Sequence, residues 1–175
     1  MKIFLTGFMG CGKTTIAKEL ASLLNFPFID LDQLIEQAEG QSISAIFSNH
    51  GEDTFREKEA RYLRETGNSN HFVMSAGGGA PCYHDNIRWM NDRGLSIYLR
   101  VPAGVLYSRL QQEENLNRPL LKGLEGPKLY DFIREKLAER ERYYLQSKFV
   151  VDWTITNASD ILDLLKNADI KVYSR

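Results

Sequence analysis

The residues best suited to chemistry stand near the start of the chain, where Gly7-Phe8-Met9-Gly10-Cys11-Gly12-Lys13-Thr14 has the composition and spacing of a phosphate-binding loop. Its glycines allow successive backbone N–H groups to converge on phosphate oxygens, and a helix starting near Lys13 adds the positive end of its dipole. The Lys13 ammonium reaches the β- and γ-phosphates, and the Thr14 hydroxyl is placed to ligate Mg²⁺. A glycine-rich turn with a surface lysine is the alternative. Context weighs against it: residues 2 to 6 read as a short strand, and Ile16, Ala17, Leu20, Ala21 and Leu24 follow at helical spacing. Strand, loop and helix in that order imply a purine nucleoside triphosphate bound with Mg²⁺.

Other residues admit two readings each. Asp30 and Asp32 would face the same side of an extended chain, and paired carboxylates beside a magnesium-nucleotide loop suit contacts to metal-bound water and a substrate hydroxyl. Asp30 also fits as a cap for the following helix, with Gln33 three residues on. Gly77-Gly78-Gly79 puts more glycine at a strand end than a bare turn needs, and close approach of backbone to a ligand explains it. Arg56 stands four residues after Glu52, so a helix-surface ion pair worth about 0.3 to 0.5 kcal/mol accounts for it without a ligand. Arg140, in Glu139-Arg140-Glu141-Arg142, reads most simply as part of a solvated helix face. Arg118 precedes Pro119 in a polar segment over residues 113 to 125, the composition of a solvated loop or of a lid that carries an arginine to a transferring phosphate. Cys82 reads as a packed thiol.

The elements that must position these residues alternate. Strands are predicted over residues 26 to 30, 72 to 75, 95 to 99 and 150 to 155, besides 2 to 6. Helices are predicted over 32 to 39, stopped by Gly40, over 42 to 51, capped by Ser42, and over 52 to 66. Further helices run from Pro102 to about Gln112, from Pro127 to about Gln146, and over 160 to 166. This is an α/β pattern: a mostly parallel sheet with helices on both faces, which binds ligands beyond the carboxyl ends of its strands. The glycine loop, Asp30 and Gly77 to Gly79 all follow predicted strands. A length of 175 residues fits one domain, and 43% hydrophobic residues supply a core and exclude intrinsic disorder. The formal net charge of -1 excludes a global basic field for non-specific nucleic-acid binding. With only short apolar runs and no secretory pattern before the first strand, no membrane partner is expected and the cytoplasm is the expected compartment. Two cysteines cannot build a disulfide framework or a four-thiolate metal site.

The loop at residue 7, Asp30-Leu31-Asp32, the triple glycine and Asn117-Arg118-Pro119-Leu120-Leu121 together make the chain, from residue 2 to about 157, resemble the shikimate kinase family. The resemblance implies a P-loop NTPase of nucleoside monophosphate kinase fold, with a five-stranded parallel sheet, helices on both faces and a mobile lid. It implies one kinase domain over residues 1 to 175, with a substrate-binding region at about 32 to 62 and the lid at about 113 to 125. Such enzymes are usually monomeric and cytoplasmic, and with Mg²⁺ they transfer the γ-phosphate of ATP to the 3-hydroxyl of shikimate on the route to chorismate.

Residue by residue, the resemblance assigns nucleotide contacts to Gly10, Cys11, Gly12, Lys13, Thr14 and Thr15, and the metal to Thr14 and Asp30. Asp32 takes the substrate hydroxyl as base or orienter, Arg56 and Arg140 take the carboxylate, and Glu59 orients the substrate arginine. Gly77, Gly78 and Gly79 contact ring hydroxyls and the γ-phosphate region, with Ala76 standing where many members carry Thr or Leu. Lys13, Asp32 and Arg118 form the catalytic set, Pro119 and Leu120 line the substrate side, and Arg109 stacks over adenine. Asn157 is expected at the other adenine wall, although Ala158-Ser159 follows it where some members have an arginine. Two alternatives remain at this point. Another small-molecule kinase of the same fold, for gluconate or a nucleoside monophosphate, would need features not marked here, such as a second base pocket. A nucleotide switch without catalysis would not need Lys13, Thr14, Asp30, Asp32 and Arg118 together.

Overall fold

The computed structural model describes residues 1 to 112, 119 to 121, 123 to 155 and 157 to 167. Its centre is β1 (Lys2–Thr6), flanked by β3 (Phe72–Ser75) and β4 (Leu95–Arg100), with β2 (Phe28–Asp30) and β5 (Phe149–Asp152) outside them. Among the described residues these five strands form one sheet in the order β2-β3-β1-β4-β5, and every pairing is parallel. The register sets Leu5 of β1 between Ser75 of β3 and Ile97 of β4, so β1 and β3 end within one residue of each other while β4 runs on to Arg100. Both faces of the central strands are covered, which is why they read as continuous apolar runs rather than alternating ones.

Successive residues of β1 enter different cores. Ile3 and Leu5 join α1 (Lys13–Leu24), α5 (Ala103–Gln112), α6 (Gly126–Tyr144) and α7 (Ala158–Asn167) in one cluster. Phe4 joins α2 (Leu31–Glu39), α3 (Ile43–Glu65) and α4 (Asn86–Arg93) in the other, through residues such as Ile35, Leu63 and Met90. The first cluster packs under the glycine loop through Phe8 and Cys11, and the second includes Phe55 beside Arg56. Among the described residues, no helix is long and apolar enough to cross a membrane.

Several boundaries move from their sequence-based positions. The second strand starts at Phe28 rather than residue 26, because Asn25 (φ 54°) ends α1 and Phe26 N–H donates to Ala21 O at 2.9 Å to close that helix. The break expected between the helices over 42 to 51 and 52 to 66 is present: α3 is interrupted at Gly51, whose backbone is non-helical (φ 81°, ψ 172°), and Ser42 caps its first part as expected. Helix α4 had no start signal, since the residue before it, Asp85, is left-handed (φ 54°) and makes no side-chain cap. The last strand ends at Asp152 instead of residue 155: Ile155 N–H donates to Asp152 O at 2.9 Å, and this turn carries Trp153 outward.

Candidate active site

The phosphate loop joins β1 to α1 as its motif demands. Gly7, Gly10 and Gly12 all have left-handed φ, of 138°, 78° and 97°, and a Cβ on Gly7 would lie 2.9 Å from Leu99 O. The Lys13 ammonium is buried over the loop, donating to Gly7 O and Phe8 O at 2.9 Å each, and Arg109 donates to Gly10 O and Cys11 O at 3.3 Å. Thr14 Oγ1 donates to Asp30 Oδ2 at 3.1 Å and lies 3.1 Å from Ser75 Oγ, so the ends of β2 and β3 meet the loop. The Ser75 hydroxyl was not marked by the sequence, where it looked like one more strand residue.

Asp30 caps the following helix and also faces the loop. Its Oδ1 accepts from Asp32 N–H at 3.1 Å and Gln33 N–H at 3.3 Å, capping α2, while its Oδ2 faces Thr14. Asp32 therefore lies in the first turn of α2, not on an extended segment beside Asp30. The cap, rather than strand alternation, brings the two carboxylates to one cleft.

That cleft, of about 790 Å³, is lined by loop residues with Thr15, Asp30, Asp32, Gly77 and Arg109. It continues into a cavity of about 300 Å³ that shares Met9, Asp32, Gly77 and Gly78 and adds Arg56, Glu59, Gly79, Leu120 and Arg140. Asp32 stands at the junction.

The helix-surface reading of both arginines fails on burial, because each is only 4% exposed. Arg56 pairs with Glu52 at 2.8 Å and Glu59 at 2.9 Å, and its guanidinium carbon lies 4.5 Å from the ring centre of Tyr83 and 5.0 Å from that of Phe55. Burial works against its charge, but Glu59 and Glu52 outweigh that and push its pKa above the ordinary value. Arg140 lies 5.9 Å from the Phe8 ring centre and forms no ion pair among the described residues. A buried guanidinium without a carboxylate is prepared for an anion from outside.

Asp32 opens onto the cleft, so water reaches it, yet the surrounding walls raise its carboxyl to about 6, chiefly through burial and then through the charge of Asp30, against the pull of Lys13 and Arg56. Glu59 is sealed at 1% exposure, and burial pushes it to about 7 against the pull of Arg56. Its Oε2 accepts from Arg56, and its Oε1 has no hydrogen-bond partner among the described residues.

The triple glycine is explained by these same side chains. A Cβ on Gly77 would lie 2.7 Å from Asp32 Oδ1 and 2.8 Å from Glu59 Oε1, and one on Gly79 would lie 2.5 Å from the Arg56 guanidinium. Tyr144 donates to Gly78 O at 2.5 Å and steadies the turn. It was missed, although its position four residues after Arg140 places both on one face of α6. Burial pushes the Cys82 thiol up to about 11, in keeping with an unreactive residue.

Of the remaining expected positions, one lies outside the described residues and one does not line this cleft. Arg118, with most of residues 113 to 125, lies outside the described residues, as does the Pro119 side chain. Asn157 caps α7, its Oδ1 accepting from Asp160 N–H at 2.8 Å, and the neighbouring cavity of about 190 Å³ is lined instead by Gly12, Thr15, Arg109, Trp153 and Ile155 among others.

Comparison with known proteins narrows the reading of this cleft. The model of the shikimate kinase family matches residues 9 to 168. A shikimate kinase of Parabacteroides distasonis is 41% identical over 172 residues, covering 98% of each chain, and one of Bacteroides fragilis is 44% identical over 86% of this chain and 83% of its own length. The crystal structure of shikimate kinase from Bacteroides thetaiotaomicron aligns with a TM-score of 0.88 at 38% identity, covering 97% of this chain and 98% of its own. That of the Acinetobacter baumannii enzyme in complex with shikimate aligns at 0.85 and 32%, covering 97% of this chain and 95% of its own. A gluconokinase from Sinorhizobium meliloti shares the fold alone, with a TM-score of 0.55 at 16% identity. With a family model spanning most of the chain and relatives this similar along its whole length, the chain belongs to the shikimate kinase family.

Proposed function

We propose the following division of labour for the reaction that goes with this family, in which the chain transfers the γ-phosphate of ATP to the 3-hydroxyl of shikimate, giving 3-phosphoshikimate and ADP on the route to chorismate. Gly10, Cys11, Gly12 and Thr15 cradle the phosphates, and Lys13 neutralises charge that develops on the γ-phosphate. Thr14 and Asp30 offer a hydroxyl and a carboxylate side by side, oxygen donors that suit a hard cation, and would hold Mg²⁺. When bound, Mg²⁺ offsets charge on the β- and γ-phosphates. Arg56 and Arg140 clamp the shikimate carboxylate, Glu59 fixes Arg56, and Gly77 to Gly79 let the ring approach. Asp32 holds the 3-hydroxyl toward the γ-phosphate. As the new O–P bond forms and the bond to the ADP oxygen breaks, the hydroxyl proton passes to the Asp32 carboxylate. Because the transition state is loose, positioning by Asp32 carries more of the rate than its basicity. Arg118 reaches the transferring phosphate when residues 113 to 125 close, and Arg109 lies against the nucleobase. The working form is a cytoplasmic monomer of one domain, with no nucleic-acid or membrane partner.

The observation that supports this reading most is that Asp32 lines both the phosphate-loop cavity and the two-arginine cavity, between donor and acceptor. A coupled assay tests it: shikimate added to protein and Mg-ATP should release ADP, whereas gluconate and nucleoside monophosphates should not. Nucleotide binding without shikimate-dependent turnover would indicate a switch. Arg118→Ala should lower turnover on the order of a thousandfold with little change in ATP affinity.

A further inference from the structure

The glycine turn carries a peptide whose two poles face opposite ways. Gly77 to Ala80 form a reverse turn, closed by Ala80 N–H donating to Gly77 O at 3.0 Å, and Gly79 at φ -93° and ψ -18° has the backbone of its third residue. Such a turn leaves its central peptide, Gly78 C=O and Gly79 N–H, outside its own hydrogen bond. The Tyr144 hydroxyl takes one pole, donating to Gly78 O at 2.5 Å. Among the described residues no peptide bond is cis, so the Gly79 N–H points away from the carbonyl that Tyr144 holds.

Burial tells what lies on each side. Tyr144 is 0% exposed and stands behind the turn, its ring centre 5.1 Å from that of Tyr98, whereas Gly77, Gly78 and Gly79 line the two-arginine cavity. Gly79 is itself buried, and among the described residues no backbone carbonyl accepts from its N–H. A buried donor of this kind calls for a partner, which the cavity can supply. The turn also rests on the phosphate loop, since a Cβ on Gly78 would lie 3.4 Å from Met9 N. Burial holds the Tyr144 phenol well above its ordinary pKa, against the pull of Arg140 one helical turn earlier on α6, so the hydroxyl stays a donor.

We propose that Tyr144 is a positioning residue for phosphoryl transfer: its hydroxyl fixes and polarises the Gly78–Gly79 peptide, and the Gly79 N–H thereby holds a hydroxyl oxygen of the bound acceptor. A hydrogen bond accepted at the carbonyl end of a peptide strengthens the donor at its N–H end. The loss of that bond is therefore felt in the use of the acceptor and not in nucleotide binding.

A role of this kind presupposes the shikimate site proposed above, and the tests separate the two. Tyr144→Phe, which keeps the ring and removes only the hydroxyl, should lower kcat/KM for shikimate about tenfold and leave the KM for ATP unchanged. Tyr98→Phe removes the other hydroxyl of the stacked pair, which bonds Glu141 at 3.4 Å, and should keep the parent's kinetics. By NMR of the ligand-free protein, the Gly79 amide nitrogen should move upfield in Tyr144→Phe, because the carbonyl joined to it loses its donor, and should stay in place in Tyr98→Phe. In the parent, the Gly79 amide proton should exchange quickly with solvent and be slowed when shikimate is added. That last measurement needs no variant. An unmoved Gly79 resonance in Tyr144→Phe, an equal kinetic loss in Tyr98→Phe, or protection of the Gly79 proton before shikimate is added would overturn the positioning role and leave the kinase reading intact. A parent protein that neither binds nor phosphorylates shikimate would overturn the acceptor reading, and the proposed contact with it.

Discussion

On the proposed nucleotide side of the cleft, the groups offered to phosphate are mostly backbone N–H groups of one loop, set by three left-handed glycines and the start of α1, with Lys13 and Thr14 inside the same eight residues. On the proposed acceptor side, the groups come from α2, α3, the turn at residues 77 to 79 and α6, and Arg56 is held there by Glu52 and Glu59. The first half is specified locally, the second by packing. Damage to the first should therefore remove chemistry and spare the fold, while damage to the second should reach both.

The largest effect is expected at Lys13. Lys13→Ala should cost turnover on the order of a thousandfold, because the ammonium faces charge that develops on the γ-phosphate. Thermal stability should change little, since water can serve Gly7 O and Phe8 O in its place. Steady-state kinetics with a melting curve checks both. A collapse of stability would break the contrast between the halves.

The same contrast governs what the sequence revealed. The loop, β1, β3 and the Gly40 stop were legible because each depends on neighbours in the chain. Arg56 and Arg140 were not legible as buried groups: their local surroundings, Glu52 at four residues and a run of alternating charge, are those of a solvent-facing helix. Only tertiary packing supplies Tyr83 and Phe8 around them, and the family resemblance, not the spacing, had marked them. Helix α4 was missed although Asp85, a usual capping residue type, precedes it; in the structure Asp85 is left-handed and makes no cap.

On the acceptor side, Arg56→Ala should weaken shikimate binding by about 2 to 5 kcal/mol while ATP affinity stays nearly intact. It should also lower the melting temperature, because Glu59 at 1% exposure loses its partner. The double variant Arg56→Ala, Glu59→Gln should regain part of the stability and none of the shikimate affinity. Calorimetry and melting curves separate the two losses, and a single variant as stable as the parent would show that packing does not hold this half together.

A smaller effect, of about 1 to 3 kcal/mol in transition-state stabilisation, is expected for Gly77→Ala, whose Cβ would drive apart the Asp32 and Glu59 oxygens lying 2.7 and 2.8 Å away. Gly104→Ala in α5 meets nothing within 4 Å and should instead stabilise the protein by up to about 1 kcal/mol. The pair sharpens the comparison, because both changes add one methyl group and only one of them touches the acceptor charges. Equal kinetics for the two would mean that the carboxylates move aside freely.

The smallest effect is read from pH. Glu59 is raised from an ordinary 4.5 to about 7 by burial, so the folded protein holds a proton that the unfolded chain releases more readily. Its stabilising contribution is complete below pH 4.5, declines as pH rises, and is lost by about pH 7; Asp32, raised to about 6, acts in the same direction. Stability of the ligand-free protein should thus fall between pH 5 and 8, and Glu59→Gln should flatten that fall by roughly 1 to 2 kcal/mol, since an amide does not titrate. Urea titrations at several pH values measure it directly. If Glu59→Gln left the slope unchanged, the carboxyl would already be ionised in the folded protein. Arg56 would then hold Glu59 as a full ion pair, and the acceptor half would be bound together by charge more than by burial.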